Sequence, residues 1–194
     1  MRTKSLLTIG LAAVGMMYGA SVFAAGSTPT TGPFGTGKIT FTGTITNSPC
    51  DIAPGDDAIA VQLGQISYRH LKSADDTSDS KPFTIHLQNC AFDPDDAATN
   101  KNPVGKMSKV TVSFSGNADS ANKGYTNIGT AQNVAVQLLK SDNHTILAPN
   151  TDADAQQLQT GNNELNFFAR VVALTADVTP GSIESSVTYT LKYL

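Results

Sequence analysis

Residues 38–46 read KITFTGTIT, and their alternation decides the fold class. Ile39, Phe41 and Ile45 share one phase, with Gly43 in the same register, while Lys38, Thr40, Thr42, Thr44 and Thr46 occupy the other. Successive side chains of a strand point to opposite faces, so this stretch has one apolar face and one hydrated face. Its β-branched Thr and Ile residues also favour extended backbone. The pattern predicts an amphipathic strand.

The same period recurs downstream, and helical periodicity is nearly absent. Ile59, Val61 and Leu63 form one set, and Phe83, Ile85 and Leu87 another, just after Pro82. Val110, Val112 and Phe114 make a third, and Val134, Val136 and Leu138 a fourth. The final run sets Val187, Tyr189, Leu191 and Tyr193 against Thr188, Thr190 and Lys192. Residues 164–174 (ELNFFARVVAL) are apolar in both phases, as in a strand covered on both faces or one containing a bulge. Cys90 is out of phase with Phe83, Ile85 and Leu87, which predicts that this strand ends or bulges before it. Polar loops such as 93–106 and 116–131 separate the runs. Short strands joined by turn-rich loops predict an all-β sandwich, with residues 48–194 as its one domain.

Upstream of residue 38 the chemistry changes. Arg2 and Lys4 precede an apolar stretch from Leu6 to about Ala20, and Val22-Phe23-Ala24 follows with small or aliphatic residues at −3 and −1. This layout predicts a secretory signal peptide over 1–24, too short for a membrane span of roughly 20 apolar residues. Residues 25–36 are rich in Gly, Pro and Thr and read as a leader without a core face, so 25–47 is treated as an N-terminal extension. Without Arg2 and Lys4 the balance is 11 basic to 16 acidic residues, net −5. That mild acidity, with no basic cluster, argues against nucleic acid or an anionic membrane as partner.

Both cysteines, Cys50 and Cys90, fall in the exported part. An even count in an oxidising compartment favours one intramolecular disulfide. Closing a loop of about 40 residues between them would stabilise the fold by roughly 4 kcal/mol on the chain-entropy account.

Catalytic and metal chemistry find little support. His70, His86 and His144 lack the spacing of a zinc site, and each reads as an ordinary surface histidine. There is no G-x-S-x-G elbow, and neither cysteine has the context of a catalytic thiol. The pairs and clusters Asp75-Asp76, Asp93 to Asp96 and Asp152 to Asp154 do not fit a calcium loop. No catalytic residue, metal or cofactor is therefore expected. A secreted carbohydrate-binding sandwich is the alternative from another class, but the chain has no Trp to serve as a sugar platform.

What stands out is that both chain ends are clean amphipathic strands. An uncovered edge invites pairing, so such ends are either covered internally or used for assembly. With ITFTGTI at 39–45, Cys50 close behind, PFTIHLQNC at 82–90, and Gly181 followed after eleven residues by Tyr193 and then Leu194, the chain resembles the subunits of chaperone–usher fimbriae, in particular the type 1 major pilin family. The resemblance covers essentially the whole chain after the signal peptide. Val171 and Val172 depart from it, standing where pilins often carry an aromatic residue.

The resemblance implies an incomplete immunoglobulin-like β-sandwich, completed by donor-strand exchange, with Cys50 paired to Cys90. It implies a donor strand around 37–47, with Ile39, Phe41 and Ile45 filling pockets of a neighbouring subunit and Gly43 where the groove is tight. It also implies that Gly181, Val187, Tyr189, Leu191 and Tyr193 border the acceptor groove and chaperone-binding edge. The implied partners are other copies of the chain and related pilins, a periplasmic chaperone, an outer-membrane usher and a host or surface receptor, with no nucleic acid. The implied location is a fimbrium on the surface of a Gram-negative bacterium, reached through the periplasm. The implied role is a structural subunit, in first place the major shaft pilin supporting surface adhesion, with a minor or adaptor subunit as the near alternative.

Overall fold

The structure is a computed structural model that describes residues 35, 37–95 and 102–194. The signal peptide expected over 1–24 and nearly all of the leader lie outside the described residues. The chain divides into two units, Met1–Thr44 and Ile45–Leu194.

In the first unit, residues 37–44 belong to no strand. Ile39 and Phe41 are 78% and 88% exposed. At the start of the second, Ile45 is 101% exposed. The strand expected over 38–46 is therefore not formed within one chain. Period-2 patterning supplies the faces of a strand, but a ladder also needs a neighbour for its N–H and C=O groups.

Among the described residues of the second unit nine strands follow in order: β1 (Asp51–Ile52), β2 (Lys81–Cys90), β3 (Lys109–Gly116), β4 (Tyr125–Thr126), β5 (Val134–Leu139), β6 (Ile146–Leu147), β7 (Gln156–Gln157), β8 (Gly161–Ala173) and β9 (Val187–Tyr193). One sheet has the order β1-β2-β8-β5-β4, with β6 beside β5, and the other is β7-β3-β9. Every pairing is antiparallel. Ile85 and Leu87 of β2, Leu165 and Phe167 of β8 and Val110, Val112 and Phe114 of β3 are buried between the two sheets. The Phe114 ring meets Phe167 edge-on at 5.0 Å between centroids, a favoured geometry for two quadrupoles.

Five expected strands stand where the pattern predicts them, as β2, β3, β5, β8 and β9. The doubly apolar stretch resolves as cover on both faces at one end. In β8, Leu165, Phe167 and Ala169 alternate with more exposed neighbours, and only Val171, Val172 and Ala173 are buried in both phases. At that end the 75–78 backbone bonds to Val171 and Ala173, and Thr77 bridges Val172. In β2 the register shifts between Leu87 and Cys90, with Asn89 at φ +54°, so the anticipated bulge is present. It turns the Cys90 side chain inward to its disulfide with Cys50.

The set Ile59, Val61 and Leu63 forms no strand. These residues are half-buried, with exposed neighbours between them, so the inward–outward alternation is there. What is missing is a neighbouring strand to hydrogen-bond.

Candidate functional site: an open groove beside the last strand

β9 ends its sheet, pairing with β3 on one side only. The register shows which backbone groups are left over. Lys109 and Leu194 exchange both of their backbone hydrogen bonds, and antiparallel pairs alternate between bonded and non-bonded. Thr111–Lys192, Ser113–Thr190 and Ser115–Thr188 are then the bonded pairs. The N–H and C=O groups of Val187, Tyr189, Leu191 and Tyr193 consequently point away from β3, and none has a backbone partner on that side among the described residues.

Facing this edge runs the segment 59–66. Its Ile59, Val61, Leu63 and Ile66 side chains are half-buried. None of its backbone groups makes a hydrogen bond among the described residues. Between the segment and the residues leading into β9 lies an open groove of about 1110 Å³. Residues 57–66 form one wall and 181–189 the other, while Phe83, Phe114, Tyr125, Val136, Leu138 and Ala169 line the floor. The floor is the core itself, and a complete sandwich would cover it with one more strand.

Of the residues singled out from the sequence, Gly181, Val187 and Tyr189 line this groove, whereas Leu191 and Tyr193 lie further along β9, outside its lining. Gly181 serves through close approach. A Cβ there would come within 2.3 Å of the Ala131 nitrogen. The 127–132 loop is bound to 179–184 through Ile128 N–H to Glu184 C=O, Ala131 N–H to Ser182 C=O and Ser182 N–H to Thr130 Oγ1. This pairing braces residues 181–184, which line the groove. Its side-chain contacts, supplied by Asn127, Thr130 and Ser182, left no periodic signal in the sequence.

Two tyrosines give the groove its polar anchors, and a third, Tyr193, lies beyond it on β9. Tyr125 Oη donates to Phe114 C=O at 2.9 Å, and burial raises its pKa above the ordinary value. Tyr189 Oη donates to Asp56 C=O at 2.8 Å, and its pKa is raised by burial first and then by the charges of Asp56 and Asp57. Tyr193 Oη is buried beside Ser48 without a hydrogen bond of good geometry, and burial again raises its pKa. Asp56 was not foreseen as part of the site. His86, read as a surface histidine, is indeed partly exposed but donates from Nδ1 to Asp56 Oδ2 at 2.8 Å.

The groove presents apolar pockets and unpaired backbone, which suits it to receive an extended segment. Residues 39–194 match the family described as Fimbrial protein. The chain is 32% identical to the fimbrial-like protein YgiL of Escherichia coli K12, over 98% of its own length and 97% of that protein. It is also 32% identical to the type-1 fimbrial protein A chain of Escherichia coli, with both chains covered in full. Among solved structures it resembles a subunit of a chaperone–usher pilus, at 26% identity and a TM-score of 0.67, over 84% of this chain and 98% of that one. The incomplete immunoglobulin-like sandwich with its open edge is that of a pilin. The chain belongs to the fimbrial protein family, the structural, non-enzymatic subunits of bacterial surface fimbriae.

Proposed function

We propose that the chain is a shaft subunit that polymerises by donor-strand complementation: the arm around 37–47 of one copy fills the groove beside β9 of the next. The observation that carries this reading is the unpaired backbone on both sides of the groove, along β9 and along 59–66, above an uncovered apolar floor. The arm is its complement in kind. Ile39, Phe41 and Ile45 are exposed apolar groups in one strand phase, and Gly43 would occupy the narrow position between Phe41 and Ile45. Burying three such side chains contributes roughly 5–9 kcal/mol, and each ladder hydrogen bond adds about 0.5–1.5 kcal/mol.

Because each copy carries both an arm and a groove, addition can repeat without limit, which favours the shaft over a terminal position. Before assembly the same groove needs another occupant. A strand from a periplasmic chaperone would pair with β9 and shield the floor until an outer-membrane usher brings subunits together. Deleting residues 25–47 is expected to abolish filaments while leaving the subunit exported. Normal polymer from that deletion would overturn the reading. Electron microscopy of cells lacking the chain tests the position: loss of whole filaments is expected for a shaft subunit, whereas filaments of normal length would place it in a minor role.

A further inference from the structure

The chain that precedes β2 is tied down by backbone hydrogen bonds on either side of the groove wall, up to Ala58 and again from Ser67, and the tie nearest the start of the wall centres on Asp56. Asp56 lies in the short turn Asp56–Ala58. Its carboxylate accepts from the backbone N–H and from Nδ1 of His86, in β2 of one sheet. Its backbone C=O accepts from the phenol of Tyr189, in β9 of the other. The turn is also tied to β2 by Ala53 N–H to His86 C=O, and is closed by Asp56 N–H to Ala53 C=O and Ala58 N–H to Gly55 C=O. Immediately afterwards these ties stop. Residues 59–66, the groove wall, have no backbone hydrogen bond among the described residues.

We propose that Asp56 and Tyr189 form a clamp across the two sheets that positions the 59–66 wall and thereby sets how tightly an inserted strand is held. Tyr189 acts through the wall it anchors, so it is a positioning residue, although its ring also lines the groove. The proposal rests on the reading of the groove as a strand acceptor. With the phenol bond in place, the wall starts from a fixed point and its inward side chains, Ile59, Val61, Leu63 and Ile66, remain in register with an incoming strand. Without it, the wall is anchored from one sheet only and swings outward more readily.

Tyr189→Phe removes one oxygen and keeps the apolar ring, so the groove lining is preserved. The test uses filaments assembled from the full-length chain and follows subunit release in SDS at moderate heat. Release from Tyr189→Phe filaments is expected to be about fivefold faster, the loss of one neutral hydrogen bond. Hydrogen exchange in the intact filaments should accelerate at amides 59–66 while those of Ile85 and Leu165 are unchanged, a pattern that general destabilisation would not give. Asp56→Ala, which removes the carboxylate's two bonds to His86 and leaves the C=O for Tyr189, is expected to act in the same direction. Wild-type release rates in both variants would overturn the clamp. Failure of the unaltered chain to form filaments would instead overturn the acceptor reading, and the clamp with it.

Discussion

Two stretches of this chain carry nearly the same pattern and meet opposite fates. Residues 38–46 and Val187–Tyr193 both alternate apolar side chains with Thr and Lys. In β9 the apolar residues are half-buried against the core and the backbone pairs with β3. In the arm Ile39, Phe41 and Ile45 are exposed and no ladder forms. Alternation specifies two faces of a strand, not a partner or a second layer to cover the apolar face. The proposed donor role of the arm rests on that missing partner.

Substitutions can separate the two cases. Leu191→Asp and Phe41→Asp each place a carboxylate at an apolar strand position, and both carry large effects of different kinds. The β9 variant is expected to lose the fold, read as proteolysis or absence from the exported fraction. The arm variant should keep the circular dichroism spectrum of the unaltered subunit yet form no filaments on electron microscopy. Equal behaviour of the two would erase the distinction. Next in size is the disulfide. Cys50→Ser with Cys90→Ser should cost roughly 4 kcal/mol in chemical denaturation, because the crosslink ties the anchored half of the pre-β2 segment to the end of β2.

Gly181→Val should cost about 2–4 kcal/mol, since a side chain there collides with backbone of the 130–131 loop. Its loss would be seen as early melting and as weaker filaments, because this contact braces residues 181–184, which line the groove.

Alkaline pH probes the tyrosines. Tyr125, Tyr189 and Tyr193 all have folded pKa values raised above the ordinary 10.0, chiefly by burial. A raised folded pKa gives a contribution fully present below the unfolded value and lost as pH rises through the folded one. Stability should therefore be flat up to about pH 10 and fall above it, with the slope reduced in Tyr125→Phe and Tyr189→Phe. The smallest effect is Lys192→Ala. Its partner Asp152 has a pKa lowered mainly by the hydrogen bond from Lys192, but both side chains are about half exposed and screened by water, so the melting temperature is expected to move little.

How far the sequence revealed this depends on the kind of contact. Strands β2, β3, β5, β8 and β9 were legible because each buries one face and so carries a period. The bulge before Cys90 was legible as a break in phase. The segment 59–66 was half legible: its alternation is real, but periodicity cannot report that no neighbour completes the ladder. The short strands β1, β4, β6 and β7 were not foreseen, since two residues hold no period. Leu191 and Tyr193 were grouped with the groove because they share the β9 face, yet the open part lies toward the N-terminal end of that strand and the loop before it. The Asp56 clamp was invisible, because its partners are 30 and 133 residues away and meet it through single polar contacts.

Thermal unfolding of residues 48–194, with and without a synthetic peptide of residues 37–47, tests the central claim most directly. Filling the groove should raise the melting temperature by roughly 10–30 °C, the equivalent of three buried apolar side chains in a domain of this size. A body that melts at the same temperature with and without saturating peptide would contradict the account.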